Sequence, residues 1–155
     1  MNRAEFSARV QALTDRLFRI SYGQLTEEQD RRDAVQEALL KAWINLPRLR
    51  REEYFETWLV RILLNECHNL QRRARASAPL TDAPEPVAPG FDGDAAVRDA
   101  VRALPEKLRV VTILYYIEGY PTREIARILR VPTETVKSRL KRARAALKQA
   151  LEGTN

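Results

Sequence analysis

Cysteine, histidine and glycine are scarce in this chain of 155 residues, with one Cys, one His and five Gly. The single cysteine, Cys67, cannot form an internal disulfide, and His68 beside it does not complete a zinc site without further ligands. Five glycines leave no glycine-rich loop that would cradle a phosphate. No acid/base pair or metal cluster stands out, so no catalytic residue, no metal and no cofactor is expected. No apolar run reaches membrane-spanning length, and the opening stretch from Met1 to Phe18 is amphipathic and charged rather than a signal peptide. The expectation is a soluble protein of a reducing cytoplasm with no membrane contact of its own. Strict apolar/polar alternation is also missing, which excludes a sheet and leaves an all-α chain.

What is present is helical periodicity and uneven charge. The net charge is +6. Residues 1–75 carry a balance of +3, residues 76–93 one of −3 and residues 94–155 one of +6. The basic excess sits with the segment Thr122 to Leu151. There Ile125, Ala126 and Leu129 give a first helix one apolar edge, with Thr122 as a candidate N-cap. Arg130, Val131 and Pro132 break the pattern, and a second helix starts near Thr133, another candidate cap. Val136, Leu140, Ala143 and Leu147 form its narrow apolar stripe. Its charged residues from Lys137 to Lys148 are Lys137, Arg139, Lys141, Arg142, Arg144 and Lys148, with no acid among them. This reads as a helix-turn-helix with a polyanionic partner, although the basic balance alone would equally suit an anionic membrane surface.

Upstream, Phe6, Val10, Leu13 and Leu17 mark one helix. Asp30 to Ile44 carries Ala34, Val35, Ala38, Leu39 and Ala42 on one side of a second. Phe55 to Gln71 carries Leu59, Ile62, Leu63, Glu66 and Leu70 on the core side of a third, where Glu66 is an anomaly. Ser77 to Gly93 holds four prolines and no Lys or Arg, as a linker would. Val97 to Ala103 and Glu106 to Glu118 predict two more helices, the latter closed by Gly119. The reading is two helical domains, 1–76 and 94–155, joined by a flexible Pro-rich linker, 77–93. Between the second and third helices, Arg48, Arg50 and Arg51 mix with Tyr54, Phe55 and Trp58. Cations that track phosphates and rings that stack on bases suit single-stranded DNA, with core packing the competing reading for Phe55 and Trp58.

Two blocks, RRDAVQEALLKAWINLPRL…FETWLVRILLNECHNLQRR from Arg31 to Arg73 and ALPEKLRVVTILYYIEGYPTREIARILRVPTETVKSRLKRARAALK from Ala103 to Lys148, resemble the extracytoplasmic-function sigma factors. That family comprises small promoter-recognition subunits of bacterial RNA polymerase that keep regions 2 and 4. The chain departs from the usual pattern at Arg51, Glu52 and Glu53, at Pro121 and at Glu134. The resemblance implies that Asp33, Gln36, Glu37, Leu40 and Lys41 dock on core RNA polymerase, with Trp43 packing inside. It implies that the loop from Leu46 to Glu56 captures a flipped base of melted minus-ten DNA beside Asn65. Arg48, Arg50, Arg51, Tyr54, Phe55, Arg61, Asn69, Arg72 and Arg73 complete that surface. For duplex minus-thirty-five DNA it implies Arg123, Thr133, Thr135, Lys137, Ser138, Lys141 and Arg142. Arg139 and Arg144 flank this face and suit an internal ion pair almost equally. An anti-sigma factor is a further implied partner. The competing readings are a stand-alone helix-turn-helix transcription regulator, which would carry a strand-containing sensor domain, and a sigma-like adaptor that binds polymerase but not DNA.

Overall fold

The computed structural model describes residues 1–77 and 95–153; the expected linker falls almost wholly outside the described residues. Seven α-helices and three short helical turns make up the described residues, with no strand among them. The chain divides into two compact units, Met1–Ala88 and Pro89–Asn155.

The first unit holds α1 (Arg3–Tyr22), α2 (Glu28–Asn45) and α3 (Phe55–Ser77). α1 starts in a capping box: the Asn2 side-chain oxygen accepts the Glu5 N–H at 2.8 Å, and the Glu5 carboxylate accepts the Asn2 N–H at 3.3 Å. Ala34, Ala38 and Ala42 recur every four residues and are fully buried, so α2 presents a side-chain-poor seam against which α3 packs closely. α3 fills it with Leu59, Val60, Leu63 and Cys67. Phe6 of α1 joins the layer edge-on to Phe55, with ring centroids 5.7 Å apart, and Arg9 lies 4.8 Å from the Phe55 ring centroid. Arg31 is the only arginine buried among the described residues. It donates to the carbonyls of Leu25 and Thr26 and stacks 4.4 Å from the Tyr22 ring, stapling the α1–α2 loop.

The second unit holds α4 (Ala95–Ala103), α5 (Glu106–Thr112), a π turn (Ile113–Ile117), α6 (Thr122–Leu129) and α7 (Thr133–Glu152). Gly119, at φ +78°, closes the expected fifth helix where glycine was placed. Two capping expectations fail by one residue. Pro121 and Pro132 occupy the N-cap positions, and Thr122 and Thr133 are already helical, so neither hydroxyl caps. The prolines instead offer carbonyls: Pro121 accepts from Glu124 and Ile125, and Pro132 from Thr135 and Val136. Between α6 and α7, Arg130 adopts φ 55°, ψ 48°, and the N–H of Val131 reaches the Ala126 carbonyl at 3.1 Å. This is the six-to-one bond of a left-handed helix stop. Val136, Leu140 and Ala143 are buried as the stripe required, and Leu147 is half-buried.

Candidate nucleic-acid interface

The apolar stripe of α7 sets the opposite side outward. Lys137, Ser138, Lys141 and Arg142 are all exposed, and the four-residue spacing from Lys137 to Lys141 and from Ser138 to Arg142 keeps them on one face. Thr133 and Thr135 are half-buried at the start of that helix, and Arg123 is exposed on α6. The acid closest to this face is Glu134, whose carboxylate lies 3.5 Å from Lys137 in an exposed pair too loose to neutralise the surface. Arg144 is exposed, and its guanidinium donates to the exposed Tyr116 hydroxyl at 3.2 Å, a tyrosine in place of the acid an ion pair would need. The π turn exposes Tyr115 and Tyr116, packed edge-on with centroids 4.9 Å apart, while Tyr120 is the core tyrosine.

In the first unit, α3 carries Arg61, Asn65, Asn69 and Arg72 on one side, opposite Leu59, Leu63 and Leu70. Asn65, Arg72 and Arg73 are exposed; Arg61 and Asn69 are half-buried. The connecting segment makes two 3₁₀ turns, Leu46–Arg48 and Glu52–Tyr54, which leave Arg48, Arg50 and Arg51 exposed and Tyr54 half-buried. Arg51 pairs with Glu53 at 3.4 Å. Glu52 is anchored on its backbone oxygen by Arg9 at 3.0 Å. The N-terminal ammonium bonds to the Glu52 carboxylate at 2.7 Å and holds that carboxyl below the usual glutamate range.

Phe55, expected to contribute to the minus-ten surface, does not reach the surface. It is fully buried, enclosed by Phe6, Trp58 and Arg9, because α3 begins there and its first apolar residue falls on the core stripe. Trp58, half-buried with its ring centroid 6.0 Å from that of Phe55, reaches the surface, as Tyr54 does.

On α2, Asp33, Gln36, Glu37 and Leu40 are exposed together, and Gln29 donates to the Asp33 carboxylate at 2.8 Å. Trp43 only partly packs. One edge meets Phe6 at 5.1 Å, yet the residue is 42% exposed, and Ile44 beside it is 64% exposed. Together with Leu40 they form an apolar strip that the sequence reading missed. Its signal was available, since residues 40, 43 and 44 lie off the alanine seam. Trp43 and Ile44 also border an open pocket shared with Leu46, Pro47 and Leu49. Lys41 lies beside these residues with its ammonium 2.5 Å from Glu66 of α3, which accounts for the acid on the core stripe. No cluster of three potential metal-ligating side chains occurs among the described residues, and no described helix is long and apolar enough to cross a membrane.

Known proteins resemble the chain in both units. Residues 9–77 match the family model for sigma-70 region 2, and residues 94–147 match that for sigma-70, region 4. The ECF RNA polymerase sigma factor SigM of Mycobacterium tuberculosis is 36% identical over 153 aligned residues, covering 88% of this chain and 76% of that protein. The RNA polymerase sigma-H factor of Pseudomonas aeruginosa is 34% identical over 146, covering 81% and 75%. Among solved structures, CnrH in complex with the cytosolic domain of CnrY matches with a TM-score of 0.78 at 27% identity, over 99% of this chain and 92% of that one. The sigma factor RpoE of Bartonella quintana, in complex with the anti-sigma factor NepR, shares the fold with a TM-score of 0.77 at 24% identity, over 96% and 97%. With regions 2 and 4 matched in order and relatives of this likeness, the chain belongs to the sigma-70 family of RNA polymerase sigma factors, in its extracytoplasmic-function branch.

Proposed function

We propose that the protein is the promoter-specificity subunit that joins core RNA polymerase and directs it to a particular promoter set, with no catalysis of its own. The observation that carries this reading is the pairing of two different surfaces in one chain. An acidic and apolar face on α2 suits a protein partner, and an exposed basic face on α7, with only the loosely paired Glu134 at its edge, suits DNA. Asp33, Gln36, Glu37 and Leu40, extended by Trp43 and Ile44, dock on the core. Arg48, Arg50, Arg51, Tyr54, Arg61, Asn65, Asn69, Arg72 and Arg73 hold melted minus-ten DNA, where arginines track phosphate and Asn65 reads an unstacked base. Lys137, Ser138, Lys141 and Arg142 enter the major groove at the minus-thirty-five element, with Thr133, Thr135 and Arg123 on the flanking backbone. An anti-sigma factor, NepR, is bound by one of the structural relatives, and a partner of that kind is proposed here by likeness.

The test is binding to purified core enzyme. Wild-type protein should form a stable complex, and the double variant Asp33→Lys/Glu37→Lys should bind markedly less while melting at the wild-type temperature. Full core affinity in that variant would refute the docking assignment.

A further inference from the structure

Glu66 is buried on the core side of α3, and its carboxylate meets Lys41 of α2 across a separation of 25 residues in sequence. Lys41 stands four residues after Glu37, which is exposed and carries no ion pair among the described residues. Glutamate four residues before lysine on a helix is the favourable order for a surface ion pair. Left to itself, the Lys41 ammonium would fold back on Glu37. Glu66 offers it a better partner: the carboxylate is 11% exposed at its side chain, so less water competes there than at the exposed Glu37.

We infer that Glu66 is a positioning residue for polymerase docking: by holding Lys41 against α3, it keeps the Glu37 carboxylate unmasked for the partner. The inference rests on the docking role proposed for Glu37. Lys41, 44% exposed at its side chain, then spends its charge on Glu66 rather than on Glu37. That face presents the carboxylates of Asp33 and Glu37 next to Leu40, Trp43 and Ile44.

Glu66→Leu places an apolar side chain at a buried position beside Leu63 and Cys67, and it releases Lys41. Three full-length proteins decide the matter: wild type, Glu66→Leu and Glu66→Leu/Lys41→Met. Each is measured for core-enzyme affinity across a range of salt and for thermal unfolding. The expected result is a loss of affinity of about twofold in Glu66→Leu with a shallower salt dependence, and recovery in the double variant, which deletes the masking cation. Recovery of affinity with no change in unfolding temperature between the single and double variants is not what a purely structural role would give, since relief of an unpaired charge would raise that temperature. Wild-type affinity in Glu66→Leu, or a double variant no better than the single one, would overturn the inference. Should Glu66→Leu unfold, Glu66→Gln, which keeps the shape but not the charge, takes its place in the same series. A crystal structure of the single variant provides a readout independent of polymerase. The Lys41 ammonium within hydrogen-bond distance of Glu37 supports the inference, and Lys41 turned away from Glu37 contradicts it. If wild type itself fails to bind core, the docking proposal falls, and the crystal structure still decides where Lys41 goes.

Discussion

Phe55 and Asn65, less than three turns apart on one helix, set a core side chain beside a proposed recognition side chain. Phe55 is fully buried, and Phe55→Ala should cost about 3–5 kcal/mol in urea unfolding because it removes a core ring together with its contacts to Phe6 and Arg9. Asn65 is exposed, so Asn65→Ala should leave unfolding within about 0.5 kcal/mol of wild type while impairing open-complex formation. Equal effects of the two substitutions on both measurements would contradict this division. Arg130 yields a gain instead. It is the only non-glycine residue at positive φ among the described residues, and Arg130→Gly should stabilise the second unit by about 0.5–1 kcal/mol, read from its thermal transition. Lower stability in that variant would show that the arginine side chain contributes more than its backbone costs. The position of Phe55 was only half legible in the sequence: it lies four residues before Leu59 on the core stripe, yet its place beside Arg51 and Tyr54 also suited the minus-ten surface. The Lys41–Glu66 pair was not legible, since helical spacing reports a face but not which residue of another helix meets it.

Helices and their turns differ in how much the sequence disclosed. α7 was legible in nearly every respect, because a narrow apolar stripe on a basic helix has one way to sit against a core. Its first residue was misread by one position, since proline and threonine both favour helix starts and local chemistry does not rank them. The π turn that exposes Tyr115 and Tyr116 carried no signal, because its apolar run reads as continuous helix. The recognition face of α7 is tested by comparing Arg142→Ala with Lys148→Ala in the full chain, on a cognate minus-thirty-five duplex and a scrambled one. Arg142→Ala should lose roughly 1–3 kcal/mol on the cognate duplex and relax preference at one base pair. Lys148→Ala, farther from the helix start, should weaken both duplexes alike. Equal loss on both duplexes from Arg142→Ala would make that residue a phosphate contact.

At the scale of the whole molecule, function comes from placing unlike surfaces on separate units of one chain. The first unit offers carboxylates and apolar groups on α2 and arginines around α3, and the second offers an exposed basic helix. Neither the scarcity of glycine nor the charge pattern alone specifies that combination; the two motif blocks, in their order, do. Promoter-dependent transcription tests it most directly. Purified core RNA polymerase is given this protein and a genome-wide library of promoter fragments from the same bacterium, and transcripts are mapped by their 5′ ends. A discrete set of start sites should appear only when the protein is present, sharing sequence elements near minus ten and minus thirty-five, and should vanish with Asp33→Lys/Glu37→Lys. Core enzyme that binds the protein yet starts at no new site, or starts unchanged by that double substitution, would contradict the assignment.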